Sequence, residues 1–141
     1  MSEFVWPVRV YYEDTDAGGV VYHANYLKFM ERARSEWLRE IGFDQMHLAQ
    51  QHNLVFVVRQ VAIDYFKPAL FNDQLYVTAH VSKFGKASLT MIQQVLRDPD
   101  LLCMATVKIV AINTLNMRPQ PFPPEVLTAL QFLGSENSND D

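Results

Sequence analysis

Cysteine is nearly missing from this sequence: its single example, Cys103, sits in the apolar run Leu101-Leu102-Cys103-Met104-Ala105. A lone thiol can close no intramolecular disulfide and build no thiolate metal cluster, which suits a reducing compartment. No segment approaches the ~20 consecutive apolar residues of a membrane-spanning helix, so no membrane insertion is expected. The opening residues, Met1-Ser2-Glu3-Phe4-Val5-Trp6-Pro7, lack the basic start and long apolar stretch of a secretory signal, and a cytoplasmic protein is expected. Positive charge is in deficit as well, with a formal net charge of −4, which argues against nucleic acid or an anionic membrane as the main partner. Glycine-rich phosphate or dinucleotide loops, a Gly-x-Ser-x-Gly elbow and a His-Glu-x-x-His pair are all absent. With them go the nucleotide-hydrolase and serine-hydrolase readings built on those motifs.

What is present suits one domain. The 141 residues, 49% hydrophobic and 20% charged, can enclose a single core and leave no room for a second. Residues 1–133 are read as that domain, and the polar, acidic tail 134–141 is expected to be disordered.

Residues 8–12, β-branched and aromatic after Pro7, predict a first strand. The glycines and carboxylates of 13–19 predict a loop. Over 24–41 the apolar residues Tyr26, Met30, Ala33, Trp37 and Ile41 recur at helical spacing, widened by Leu27 and Leu38, and Gly42 marks the stop. A polar stretch holding His47 and His52 follows. Strands are then expected over 54–66, 75–82, 88–96 and 101–113, separated by Asn72-Asp73, Gly85 and Asp98-Pro99-Asp100. Such close spacing predicts four hairpin-joined strands in an antiparallel sheet. After four prolines between 119 and 124, residues 125–133 are read as a short helix with proline in its first turn. The plan is α+β, one long helix burying its stripe on one face of the sheet.

The segment Val10-Tyr11-Tyr12-Glu13-Asp14-Thr15-Asp16-Ala17-Gly18-Gly19-Val20-Val21-Tyr22-His23-Ala24-Asn25-Tyr26 resembles the signature of the 4-hydroxybenzoyl-CoA thioesterase family, and within it the acyl-CoA thioesterases associated with the Tol-Pal system. Phe66-Lys67-Pro68-Ala69 and Glu31-Arg32-Ala33-Arg34 extend the similarity over nearly the whole chain. The resemblance implies a hot-dog fold, a curved sheet of about five strands wrapped around the helix. It further implies hydrolysis of acyl-coenzyme A thioesters, Asp16 as the catalytic carboxylate with Tyr12 and His23 as companions, and a homotetramer built from two dimers with active sites between subunits.

Those residues suit that chemistry. A thioester needs an attacking oxygen and a way to stabilise charge growing on its carbonyl oxygen. Asp16 can attack directly, giving an anhydride, or take a proton from water; both routes stay open. The helix start near His23 and Asn25 offers unpaired N–H groups for the oxyanion. Gly18 and Gly19 let the loop turn close enough for the thioester to lie between the two. Gly19 and Asn25 are therefore read as substrate contacts, and Lys83 and Lys86, flanking Phe84-Gly85, as cations for the phosphates of coenzyme A, with Arg59 a further candidate. Neither cofactor nor metal is expected: His47, His52 and His80 have no ligand spacing and read as surface or strand residues, and Cys103 as a small core hydrophobe. Two rival readings share the fold: a module binding acyl-carrier protein or an envelope-linked partner, with hydrolysis incidental, and a dehydratase acting on enoyl-CoA.

Overall fold

The computed structural model describes residues 4–139, with side chains through 131. Strand β1 spans Phe4–Arg9, and after a 3-10 turn at Tyr12–Asp14 helix α1 runs over Asn25–Glu40. Helix α2 (Gln45–His52), strands β2 (Leu54–Tyr65), β3 (Gln74–Phe84), β4 (Ser88–Arg97) and β5 (Asp100–Asn113), and helix α3 (Pro124–Asn139) follow.

The long helix forms where its apolar period places it. Tyr26, Phe29, Met30, Ala33, Trp37 and Leu38 are buried, and the chain leaves the helix at Gly42, φ 102°. The stripe is rotated slightly from the expected one: Phe29 is 1% exposed, whereas Leu27 is 41% exposed and faces outward. Opposite the helix lie Leu75, Val77, Ala79 and Val81 of β3, Leu89, Met91 and Val95 of β4, and Cys103, Ala105, Val107, Ile109 and Ala111 of β5, all buried. Their period of two gives one apolar sheet face, and one core holds it against α1.

The sheet order is β1-β3-β4-β5-β2, every neighbouring pair antiparallel. The expected run of four hairpin-joined strands is corrected here. β3–β4 and β4–β5 are hairpins, but β2 pairs with β5 on the far edge, from Leu54↔Asn113 to Tyr65↔Cys103. The chain therefore crosses the end of the sheet between β2 and β3. Backbone N–H groups of Phe66 and Lys67 donate to Leu102 O (2.8 and 3.2 Å) along this crossover. Arg97 donates to Pro68 O (3.2 Å) and to Asp73 (2.7 Å), and Lys67 pairs with Asp100 (3.1 Å). The hydrogen bond to Asp73 is the main reason the Arg97 guanidinium is held above its usual pKa, and that from Lys67 the main reason Asp100 is held below its own.

Three further boundaries depart from the sequence reading. β1 ends at Arg9, so Tyr11 and Tyr12 leave the strand; Pro7 is tolerated because β1 is an edge strand. The stretch with His47 and His52 is helix α2, capped by Asp44, whose side chain accepts from His47 N (2.7 Å), and closed by left-handed Asn53. α3 continues to Asn139, past the predicted end, so the expected disordered tail falls partly on this helix and partly, at 140 and 141, outside the described residues.

Inside the core one polar side chain crosses from sheet to helix. Gln93, fully buried, donates to Met30 O (3.0 Å) and Thr78 O (3.3 Å) and accepts from Arg34 (3.0 Å). It lies where the β3–β4 register passes from Val77↔Val95 to His80↔Ile92, and Thr78 Oγ there accepts from Gln94 N (2.9 Å). Burial pushes the Arg34 guanidinium below its usual pKa, and Glu31 opposes the shift.

The phase of the helix stripe is testable. Phe29→Ala removes a fully enclosed ring and should cost about 3–5 kcal/mol of stability, whereas Leu27→Ala should fall within about 0.5 kcal/mol of wild type in denaturant unfolding.

Candidate active site

The segment between β1 and α1 is fastened at both ends to the β2–β3 crossover. Val10 exchanges backbone hydrogen bonds with Asp73 O (2.9 Å) and Asn72 N (3.0 Å). Val21 N donates to Ala69 O (2.9 Å), and Val20 forms an isolated bridge with Leu70. Between these anchors the 3-10 turn is closed by Asp14, whose carboxylate accepts from Tyr11 N (2.8 Å). The Asp14 carbonyl accepts from Tyr22 N (3.0 Å) and from Asn25 Nδ2 (2.9 Å).

Asp16 stands on the tip that remains. Thr15 pairs with Val21, Asp16 N donates to Val20 O (2.9 Å), and Gly19 N donates back to Asp16 O (3.0 Å), making a miniature hairpin. Its turn needs Gly19 at φ 83°, a conformation most side chains avoid. Gly18 N donates to Asp16 Oδ1 (2.8 Å), and a Cβ on Gly18 would come within 3.2 Å of that oxygen. The amide thus fixes one carboxylate oxygen in place. Asp16 is exposed, and none of the described pockets is lined by it.

The head of α1 lies next to this hairpin. Ala24 is the cap residue without a side-chain cap bond, Asn25 N donates to Tyr22 O (2.8 Å), and the N–H groups of His23 and Ala24 take no partner among the described residues. Two free donors at the positive end of a helix can receive an oxyanion. The carbonyl of His23 accepts from Tyr65 Oη (3.0 Å), and the Tyr65 ring stands edge-on to His23 and to Tyr26. Tyr26 itself is buried and accepts from Ala69 N through its hydroxyl (3.0 Å). Burial raises the pKa values of both phenols, leaving them protonated donors and acceptors.

The structure sorts the residues singled out from sequence. Asp16, Gly19, His23 and Asn25 share one loop, but no hydrogen bond joins the His23 imidazole to Asp16 among the described residues. Tyr12 is 79% exposed and stacks edge-on against Phe71 at 6.0 Å. Asn25 spends its amide on Asp14, which makes it a clamp of the loop. Lys83 and Lys86 are exposed at the far end of β3 and in the turn beyond it. β3 begins beside Val10, so ten residues of extended chain, roughly 30 Å, separate Lys83 from the loop of the same chain. Cations that do border the loop are Arg9, Lys28 and Arg32, which with Trp6 and Tyr11 line a groove of about 350 Å³ reaching Asp14 and Asn25. Arg59 lies on the outer edge strand at a bulge between Val58 and Gln60.

Two further features escaped the sequence. Tyr11, Tyr12, Tyr22, Tyr65, Phe66, Leu70 and Phe71, from the loop, the end of β2 and the crossover, are apolar side chains each at least 44% exposed. A second cavity, about 260 Å³, opens between α1, α2 and the sheet, lined by Arg34, Trp37, Phe56, Val58 and Met91 among others. No group of three or more possible metal-ligating side chains occurs among the described residues, and no helix there is long and apolar enough to cross a membrane. Cys103 is fully buried, and its thiol is pushed up to about 12, chiefly by burial. Thiol reagents at neutral pH should therefore label the native protein far more slowly than the unfolded chain; equal rates would contradict the buried thiol.

Comparison with known proteins agrees with this architecture. Residues 10–130 match the thioesterase-like superfamily. An acyl-CoA thioesterase YbgC of Haemophilus influenzae is 48% identical over 130 residues, 92% of this chain and 96% of that protein. An acyl-CoA thioester hydrolase YbgC of Escherichia coli O6:H1 is 42% identical over 125 residues, 88% of this chain and 92% of that one. The crystal structure of a probable thioesterase from Bartonella henselae superposes with a TM-score of 0.82 at 38% identity, covering 86% of this chain and all of that one. The sheet wrapped on α1 is the hot-dog fold, and the chain belongs to the thioesterase-like superfamily, whose reaction is thioester hydrolysis.

Proposed function

We propose that the protein hydrolyses acyl-coenzyme A thioesters, with Asp16 as nucleophile or general base and the head of α1 as the oxyanion site. One observation carries the reading: a carboxylate held by Gly18 N on a rigid tip stands a few residues before a helix start with two unpaired N–H groups. That supports reading Asp16 as the attacking or proton-accepting oxygen and the helix start as the oxyanion receptor. The names of the relatives support the substrate class, and kinship with 4-hydroxybenzoyl-CoA and Tol-Pal-associated thioesterases belongs to the same proposal. The products are a free acid and free coenzyme A, and no cofactor enters.

The exposed tip of a single chain is half of this proposal. β2 is an uncovered edge strand with Val57 and Val58 each 42% exposed, and an apolar open edge favours pairing with a second copy. Antiparallel pairing of two β2 edges about a two-fold axis would set the hairpin and the exposed aromatic side chains of its loop beside the partner's Phe56 and Val58, which line the 260 Å³ cavity. Such an arrangement covers those side chains and gives an acyl group an apolar wall. Lys83 and Lys86 reach a substrate at Asp16 only from another copy of the chain, so their role in holding phosphates stands or falls with a larger assembly, a dimer of dimers. His23 and Tyr12 border the same space, their side chains free to contact the substrate.

Thiol release from short-chain, long-chain and aromatic acyl-CoAs is expected to saturate with the wild type. Asp16→Asn should lower turnover at least about 100-fold with unchanged thermal unfolding; an Asp16→Asn variant at near wild-type rates would refute the assignment. Sedimentation should give a mass well above one 16.3 kDa chain, and a monomer active at full rate would contradict the shared site.

A further inference from the structure

The aromatic contact at the head of α1 carries a role beyond packing. Tyr65 closes β2, its Cα paired with Cys103 of β5, so its position is set by the sheet. Its ring is wedged edge-on between His23 (6.2 Å, 87°) and Tyr26 (5.5 Å, 63°). From there its hydroxyl donates to the His23 carbonyl at 3.0 Å. In a trans peptide the carbonyl oxygen and the following N–H point in opposite directions across one rigid plane. Holding the His23 oxygen therefore aims the Ala24 N–H, one of the two donors without a partner. The other, on His23, belongs to the preceding peptide, whose plane is held by a different bond, from Asn25 N to the Tyr22 carbonyl (2.8 Å).

The helix alone does not fix the plane between His23 and Ala24. Ala24 has no side chain that could cap the turn, and the first backbone bonds there are Asn25 N to Tyr22 O (2.8 Å) and Leu27 N to Ala24 O (3.2 Å). Neither touches the peptide between His23 and Ala24. Its only partner among the described residues is the Tyr65 hydroxyl. We propose that Tyr65 is a positioning residue for thioester hydrolysis: by holding the His23 carbonyl it keeps the free Ala24 N–H at the head of α1 aimed at the oxygen on which charge develops. The inference rests on the acyl-CoA hydrolase reading above and names a residue to which that reading assigns nothing.

Tyr65→Phe deletes the hydroxyl and keeps the ring and its stacking. Turnover of benzoyl-CoA should fall by about 10- to 100-fold, the scale of a misaligned oxyanion donor, while KM stays within about two-fold. Thermal midpoint and assembly mass should match wild type. A direct readout comes from isotope-edited infrared spectra of carbonyl-labelled benzoyl-CoA bound to Asp16→Asn, in which the thioester stretch should move to lower frequency. In Asp16→Asn/Tyr65→Phe that displacement should shrink. Wild-type turnover by Tyr65→Phe, or a loss accompanied by an unchanged carbonyl frequency or by KM rising in step, would overturn the role of Tyr65 alone. Absence of any thioester hydrolysis by the wild type would instead overturn the hydrolase reading, and this role with it.

Discussion

The crossover between β2 and β3 is the constraint on which the rest of this end of the molecule depends. Because β2 pairs on the outer side of β5, residues 66–73 must run across the end of the sheet, and they present backbone groups there. Ala69 takes Val21 through its carbonyl and the Tyr26 hydroxyl through its amide; Asn72 and Asp73 take Val10. Loop and helix start are thus hung from a strap which is itself pinned by Arg97 and Lys67. Those ion pairs are partly exposed and individually weak. Their value lies in direction: Arg97 holds both a strap carbonyl and a strap carboxylate, so the strap cannot slide along the sheet without breaking both.

A loop so held suits the reactive carboxylate of the proposed hydrolysis. An exposed carboxylate on a floppy loop would sample many orientations, and each would have to be lost when the reaction begins. Here the orientation of Asp16 is set by a bridge on one side, a left-handed glycine on the other and an amide on one of its oxygens. The helix at the back of the site is equally restrained. Its apolar face is pressed on the sheet, and Gln93 ties its Met30 carbonyl and Arg34 to β3 and β4. A buried amide with all its partners satisfied fixes register along the helix, which an apolar contact alone does poorly.

The sequence carried the parts of this arrangement that depend on local pattern. α1 was legible nearly to the residue because its burial period is strong and Gly42 ends it. The strands β2 to β5 were legible from their alternation and turns. α2 was not, since only Leu48 of it is buried and no apolar period results; Asp44 and Asn53, its two caps, were the available signal. Strand pairing was not legible either, for the spacing of β2 and β3 is as suitable for a hairpin as for a crossover, and the choice depends on which edge β5 offers. That gap also hid the distance of Lys83 and Lys86 from Asp16 within one chain: a turn such as Phe84-Gly85 has no position relative to Asp16 until the strand order is known. The hairpin carrying Asp16 could be named from its flanking pattern, whereas Gln93, a polar residue in an alternating strand, and Tyr65, the last residue of a long one, gave no local sign of their partners.

The loop's dependence on main-chain fastenings has an evolutionary consequence. Apart from Asp14, Thr15, Gly19 and Asn25, the residues around Asp16 contribute little through their side chains to the shape of the hairpin, and the apolar side chains of Tyr11, Tyr12, Phe66 and Phe71 are largely in solvent. Replacing any of these four would leave the folded state almost undisturbed while altering what the mouth of the site accepts. Under the proposed function, descendants of this scaffold can therefore drift from one acyl partner to another by single surface changes, with the reacting apparatus carried along unaltered.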